Sequence, residues 1–373
     1  MLKIGSQNIG KIYLGDNEIC KAYLGSDLVY ECKEDFIFTV KTDNLGTSGN
    51  DQFTIPTSTT GITMPFNYDI ETSDGYVATG ITGSHTITFP SGAGTHSVSI
   101  SGVFPYMKFP EESDALKILK ISNWGVYGLG STSQNNAFTD CTNLTITAND
   151  TGYFGDVVDF TSTWRNCESL TSFPLIDTSS GETFSSTWFG CTNLEAFPLI
   201  DTSSGIDFTA AWAGCESFEG FPVIDLTNAD TISSAWSGCI GLASFPLLDT
   251  SNVEDFNTAW QKCTDLTSFP LIDTSSSVSS FANSWRNCTD LETFPANLFD
   301  DSLVSNYSNA FNSTNLSAQS IDDILVSIDT SGVTNGTFFQ SGGLAPSTTV
   351  GEPAIDSLVA KGWTITVTGG YTP

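Results

Sequence analysis

Six tryptophans, Trp164, Trp188, Trp212, Trp236, Trp260 and Trp285, recur at intervals of 24, 24, 24, 24 and 25 residues, and each is followed three positions later by a cysteine. A period of that length means one supersecondary unit per repeat, which cannot bury its apolar side alone and does so against its neighbours. The unit reads F-x-x-x-W-x-x-C-x-x-L-x-x-F-P-L-I-D-T-S, as in Phe184, Trp188, Cys191, Leu194, Phe197, Pro198, Leu199, Ile200, Asp201, Thr202 and Ser203. Function is then expected on a face of the array rather than in a single pocket.

Set against the leucine-rich-repeat core L-x-x-L-x-L-x-x-N, the stretch Leu170-x-x-Phe173-x-Leu175-x-x-Thr178 places an apolar or capping residue at every anchor. That phase points Leu170, Phe173 and Leu175 inward from a short strand, with Leu194, Phe197, Leu199 and Leu266, Phe269, Leu271 as equivalents. Phe184, Trp188 and Cys191, at i, i+4 and i+7, share one face of a short helical turn packed on that strand, which makes the tryptophans core filler. Pro174, Pro198, Pro222, Pro246 and Pro270 each remove a ladder donor. The strands are therefore three or four residues long, or the ladder is interrupted at that level. Ile176, Ile200, Ile224, Leu248 and Ile272 face outward by strict alternation, as an apolar stripe open to a partner, unless a local twist returns them to the core.

Asp177, Asp201, Asp225, Asp249 and Asp273 form a polar ladder beside that stripe. Carboxylates ~5 Å apart repel by only about 0.8 kcal/mol at the dielectric of bulk water, and salt lowers this further, so the ladder requires no cation. Each Asp-Thr-Ser suits an Asx-turn in which the carboxylate accepts backbone N–H bonds. Calcium bridging is the alternative in such oxygen-rich surroundings, although no EF-hand or glycine-rich nonapeptide spacing is present. The five aspartates and the five aliphatics are the candidate binding residues, with no cofactor required.

Seven cysteines, Cys141, Cys167, Cys191, Cys215, Cys239, Cys263 and Cys288, follow the repeat, while Cys20 and Cys32 lie outside it. No C-x-x-C occurs and histidines number two, which removes the basis for zinc or thioredoxin-like chemistry. Stacked strands bring equivalent cysteines within disulfide range, but with parallel Cβ vectors, which favours a buried reduced ladder. With 42 acidic against 12 basic residues and a net charge of -30, the chain lacks the clustered Lys and Arg that phosphate backbones demand. No G-x-S-x-G, H-E-x-x-H, P-loop or dinucleotide fingerprint appears, and the expectation is a non-enzymatic protein. His85 and His96 read as surface or turn residues, and carboxylate pairs are too numerous here to signal a glycosidase.

The expected fold class is mostly β with short helical turns: a leucine-rich-repeat-like solenoid preceded by a small Ig-like β-sandwich. Residues 1–31 repeat Ile4-Gly5-Ser6, Leu14-Gly15-Asp16 and Leu24-Gly25-Ser26 at intervals of ten, the mark of hairpins. So short a segment is read as an attachment element completed by a partner. Residues 32–122 carry β-runs at 36–40, 52–55, 66–70, 86–89, 96–100 and 116–121, suited to a sandwich. The array occupies 123–318, with Phe138 standing at the tryptophan position of its divergent first turn. Residues 319–373 cap it, with helical spacing at Ile321–Ile328 and a second short helix stopped by Gly362 before a strand. No apolar h-region, membrane-length stretch or lipidation box is seen, so a surface role is expected to be reached by assembly into a particle.

Thr72-Ser-Asp74-Gly75, followed by Gly92-Ala-Gly94-Thr-His-Ser-Val98-Ser-Ile100, resembles the PKD-type immunoglobulin-like module, without the Trp/Phe-Gly pair that should precede Asp74-Gly75. The resemblance implies a spacer domain. Residues 123 to 300, with their W/F-x-x-C-x-x-L-x-x-F-P unit, resemble the BspA-like leucine-rich repeats of bacterial surface proteins and phage structural proteins, which implies adhesion to host proteins or glycans. The Lys11-Ile-Tyr-Leu-Gly15 and Lys21-Ala-Tyr-Leu-Gly25 modules resemble N-terminal segments of tailed-phage virion proteins. Together these imply a phage fibre, spike or decoration protein at the virion surface. Its expected partners are other virion proteins through residues 1–31 and a host cell-surface protein or glycan, with no nucleic acid and no membrane insertion; homo-oligomerisation is compatible with this. The alternatives are a bacterial secreted or surface adhesin and a purely structural particle component.

Overall fold

The computed structural model describes residues 33–111, 113–274, 278, 280–371 and 373 in full, together with the backbone of six short strands within residues 1–32. Those strands are β1 (Lys3–Ile4), β2 (Gln7–Asn8), β3 (Tyr13–Leu14), β4 (Asn17–Glu18), β5 (Lys21–Leu24) and β6 (Asp27–Glu31). They pair antiparallel as β1–β2, β3–β4 and β5–β6. The turn positions Gly5, Gly15 and Gly25, and Cys20 and Cys32, lie outside the described residues.

The chain is mostly β. After β7 (Phe36–Lys41), β8 (Gln52–Ile55), β9 (Asn67–Thr72), β10 (Val77–Ile81), β11 (His85–Thr88) and β12 (Thr95–Val103) come β13 (Ile118–Asn123) and β14 (Thr145–Ile146). One sheet has the order β10-β9-β12-β7-β13-β14 and a second pairs β11 with β8. Alternation in the sequence produces the layers: Phe36, Phe38 and Val40 of β7 and Phe53 and Ile55 of β8 are all buried, and the rings of Phe38 and Phe53 meet at 5.8 Å. The β-runs anticipated at 36–40, 52–55, 66–70, 86–89 and 96–100 are strands, within a few residues. β10 was not anticipated, and at 116–121 a 3-10 turn (Ala115–Lys117) precedes β13.

The loop before β8 is held by a buried charge. The Lys117 ammonium, fully buried, donates to the carbonyls of Ser48 (3.1 Å), Gly49 (2.9 Å) and Gln52 (3.0 Å) and to the Ser48 hydroxyl (2.8 Å). The Asp114 carboxylate stands 3.7 Å away and itself accepts from the N–H groups of Ser48 and Thr54. Four acceptors and a counter-charge offset the desolvation of this ammonium, whose pKa burial nonetheless lowers.

Beyond β13 the repeat units stack. Trp164 and Trp188 lie 5.9 Å apart and nearly parallel, and the succeeding pairs stand at 5.5, 5.5, 6.0 and 5.5 Å. All six indoles are fully buried, and Phe173, Phe197, Phe221, Phe245, Phe269 and Phe294 meet them edge to face. The column continues at both ends, through Trp124, which stacks on Phe36, and through Phe311, 5.1 Å from Trp285. One hydrophobic core therefore runs from Phe36 to Val367.

The main backbone ladder lies in an unexpected segment. The N–H groups of Phe184, Ser186, Trp188 and Gly190 donate to the carbonyls of Asp207, Thr209, Ala211 and Ala213 in the next unit, each at 2.8 Å. The L-x-x-F-P segment contributes only isolated bridges such as Ser172↔Ala196 and Ser244↔Ser268. Nor is the tryptophan segment a helical turn. Its intervening N–H groups bond back three residues, as Thr187 to Phe184 and Cys191 to Trp188, and its backbone enters the left-handed region at Ser186 (φ 55°) and Gly190 (φ 71°). Left-handed residues two before and two after each tryptophan break any helix, yet leave Phe184, Trp188 and Cys191 buried together. The Gly, Asn or Lys at the second of these positions reflects that need.

At the C-terminal end the ladder becomes regular. β15 (Asn306–Asn312), β16 (Thr337–Ser341) and β17 (Thr364–Thr366) are parallel neighbours joined through α1 (Ala318–Thr330) and α2 (Gly351–Ala360). Trp285 N–H donates to the Ala310 carbonyl, so β15 continues the repeat ladder. Both expected helices are present, α1 capped at Ser317, whose hydroxyl accepts from the N–H of Ser320.

Candidate binding face

In the P-L-I-D-T-S segment, proline cannot donate, and the chain closes a tighter bond instead. Ile200 N–H donates to the Pro198 carbonyl at 3.0 Å, as do Ile224 to Pro222 (3.0 Å) and Ile272 to Pro270 (3.1 Å). An i to i+2 bond of this kind is a γ-turn, and it shifts the inside-outside alternation by one residue. Ile200, Ile224 and Ile272 are consequently buried, as are Ile176 and Leu248, all at 2–3% exposure, and the outward-stripe reading of that position is corrected. Leu175, Leu199 and Leu271, assigned inward by the leucine-rich consensus, are exposed instead, at 62, 64 and 54%, with Val223 at 63% and Leu247 at 61%. An outward aliphatic ridge does exist, one residue earlier than expected. The proline in each unit was the signal for it.

Asp177, Asp201, Asp225, Asp249 and Asp273 are all exposed beside that ridge. Asp201 Oδ1 accepts from the N–H of Ser203 at 3.0 Å and from its hydroxyl at 2.6 Å. Asp177 with Ser179 and Asp225 with Thr227 repeat the arrangement, and Asp249 accepts from Ser251 N–H at 3.1 Å. These are Asx-turns. Hydrogen bonds from Ser203 and Ser251 lower the pKa of Asp201 and Asp249. Among the described residues, no group of three or more His, Cys, Asp or Glu side chains could hold a metal ion.

The remaining polar residues of the unit join one turn to the next. Buried Thr178, Thr202 and Thr250 hydroxyls donate to the carbonyls of Asp201, Asp225 and Asp273 at 2.6–2.7 Å. Ser204 and Asn228 reach back to the carbonyls of Ser179 and Ser203. The thiols of Cys191, Cys215, Cys239, Cys263 and Cys288 each donate to the tryptophan carbonyl one unit earlier, Cys191 to Trp164 and Cys239 to Trp212 at 3.2 Å, while Cys167 donates to the Phe138 carbonyl. Cys141, Cys167, Cys191, Cys215, Cys239, Cys263 and Cys288 are free thiols. Burial pushes Cys191, Cys239 and Cys288 up to about 12, far from reactive thiolates. The ridge and its acid rail stay facing water.

The two histidines lie in strands that precede the repeats. His96 is buried rather than a surface residue: it stacks on Phe89 at 4.0 Å, and its Nδ1 stands 3.7 Å from Asp74. Burial alone would raise the pKa of Asp74, but hydrogen bonds from Thr72 and Ser91 and the charge of His96 hold it at about 2. His85 is half-buried against the Tyr76 hydroxyl, 2.6 Å away. An open polar hollow of about 480 Å³ beside the first units is lined by Lys108 and Arg165 but also by Glu111 and Asp140, leaving it without net charge.

No protein-family model, characterised protein or solved structure matches the chain.

Proposed function

We propose that this chain is a non-enzymatic adhesion protein of a phage particle, a fibre, spike or decoration protein that attaches through residues 1–31 and presents its repeat stack to a host surface. The stack is read as a BspA-like leucine-rich-repeat solenoid, and the preceding layers as a PKD or Ig-like spacer. The observation carrying this reading is the division of labour in the unit: Thr and Ser hydroxyls stitch neighbouring turns, and an ordered aliphatic ridge with an aspartate rail stays exposed. An aliphatic ridge kept in water at every repeat is a feature of contact surfaces. A segment as short as residues 1–31 can bury little surface on itself, which suits an element completed by a partner.

Deleting residues 1–31 is expected to abolish incorporation into particles while the remaining chain folds. Full incorporation of the truncated chain would refute the attachment role. Particles carrying a chain with residues 184–255 excised as three whole 24-residue units are expected to lose adsorption to host cells; unchanged adsorption would favour the purely structural alternative.

A further inference from the structure

The ridge constrains the chemistry of whatever it contacts, and this inference rests on the binding role proposed above. Leu175, Leu199, Val223, Leu247 and Leu271 are each more than half exposed, although a buried aliphatic position lies one residue further on in every unit. The Phe rings two residues before them repeat at 5.8–6.5 Å, so the five span roughly 24 Å. The aspartate rail follows two residues after each aliphatic, and exposed Glu195 and Glu219 precede Leu199 and Val223 by four. The only basic residues between 121 and 360 are Arg165, Lys262 and Arg286, all placed one or two residues after a tryptophan, in the other segment of the unit. A second copy of the chain would oppose acid rail to acid rail at a net charge of -30 each. Charge complementarity therefore selects a cationic partner.

Its shape follows from a continuous stripe flanked by acids. An α-helix lying along the stack returns its apolar stripe every ~5.4 Å, within about 1 Å of the ridge repeat, and can flank that stripe with basic residues. About sixteen helical residues cover roughly 24 Å. We infer that the ridge docks a basic amphipathic helix of another polypeptide, whose aliphatic side chains lie on Leu175 to Leu271 and whose Lys or Arg residues meet the aspartate rail.

The test uses the full chain and a fluorescent 18-residue leucine–lysine helical peptide, with a leucine–glutamate peptide of the same pattern as control, read by anisotropy. The expected result is saturable, salt-sensitive binding of the first peptide only. L199S/V223S/L247S, which alters exposed side chains, should weaken it at least tenfold. D201N/D225N retains Asx-turn chemistry and should weaken it severalfold at low salt, whereas E182Q/D230N, removing two charges from another stripe, should leave it unchanged. Equal binding by L199S/V223S/L247S would overturn the inference. So would equal weakening by E182Q/D230N, which would reduce the effect to overall charge, or a wild-type dimer that L199S/V223S/L247S dissociates. Particle adsorption separates the two levels: loss on excision of repeats but not in L199S/V223S/L247S sinks the ridge and spares adhesion, and unchanged adsorption on excision, with peptide binding by the wild-type chain intact, sinks adhesion and spares the ridge.

Discussion

Replacing Ile200 and Leu199 by alanine, one at a time, tests the inside-outside phase of the stack directly. Ile200 is 3% exposed, so Ile200→Ala removes three carbon groups from full burial, about 2.4 kcal/mol by transfer at ~0.8 kcal/mol each, before the cavity left behind adds to it. The expected loss is about 3–4 kcal/mol. Leu199 is 64% exposed, so the same three carbons bury only about a third of their surface and leave no closed cavity; the expected loss is below about 1 kcal/mol. Urea unfolding followed by tryptophan fluorescence reads both variants, with the slope m compared to establish that the transition keeps its cooperativity. The pair Ile224→Ala and Val223→Ala repeats the comparison one unit along. Equal losses within a pair, or a larger loss at Leu199, would mean that the leucine-rich consensus phase holds and that the γ-turn argument fails.

Gly214 has φ 74° and room for a side chain, its built Cβ lying 3.6 Å from the nearest atom, so Gly214→Asn should cost little and Gly214→Val about 1–2 kcal/mol, read as shifts in urea midpoint; equal effects would refute the left-handed requirement. In a C20S/C32S background, the seven repeat thiols should resist a thiol reagent in the native state and react on unfolding. Because burial raises the folded thiol pKa to about 12 at Cys191, Cys239 and Cys288, their contribution is complete below the ordinary thiol pKa and falls as the pH climbs toward about 12; fast labelling at pH 8 would contradict this. Asp74, held at about 2, contributes stability above the ordinary carboxylate pKa that is lost as the pH falls toward 2. D74N should lower stability at pH 7 and flatten the urea-midpoint profile between pH 5 and 2, and a parallel profile would discount the Thr72, Ser91 and His96 contacts.

Periodicity identified which residues are equivalent, because stacking demands the same side chain at the same place in every unit. Trp188 with Cys191, the Asx-turns at Asp201 and Asp225, the β-runs at 36–40 and 52–55 and the two cap helices were all legible in that local pattern. Equivalence does not say which side of a segment is inside. The consensus that placed Leu199 in the core assumes an unbroken strand, and Pro198 breaks it by lacking an N–H, so the Ile200 bond re-phases the chain by one residue. The ladder likewise moved to the tryptophan segment, where every alternate N–H is free to reach the next unit. Trp124, which joins the two halves of the core, and the Lys117 ammonium, satisfied by carbonyls some seventy residues earlier, depend on contacts between distant segments. The sequence by itself determined that this chain stacks, and with which side chains. Only the tertiary structure decided which aliphatics are left to water, because that choice rests on where each backbone donor finds its acceptor.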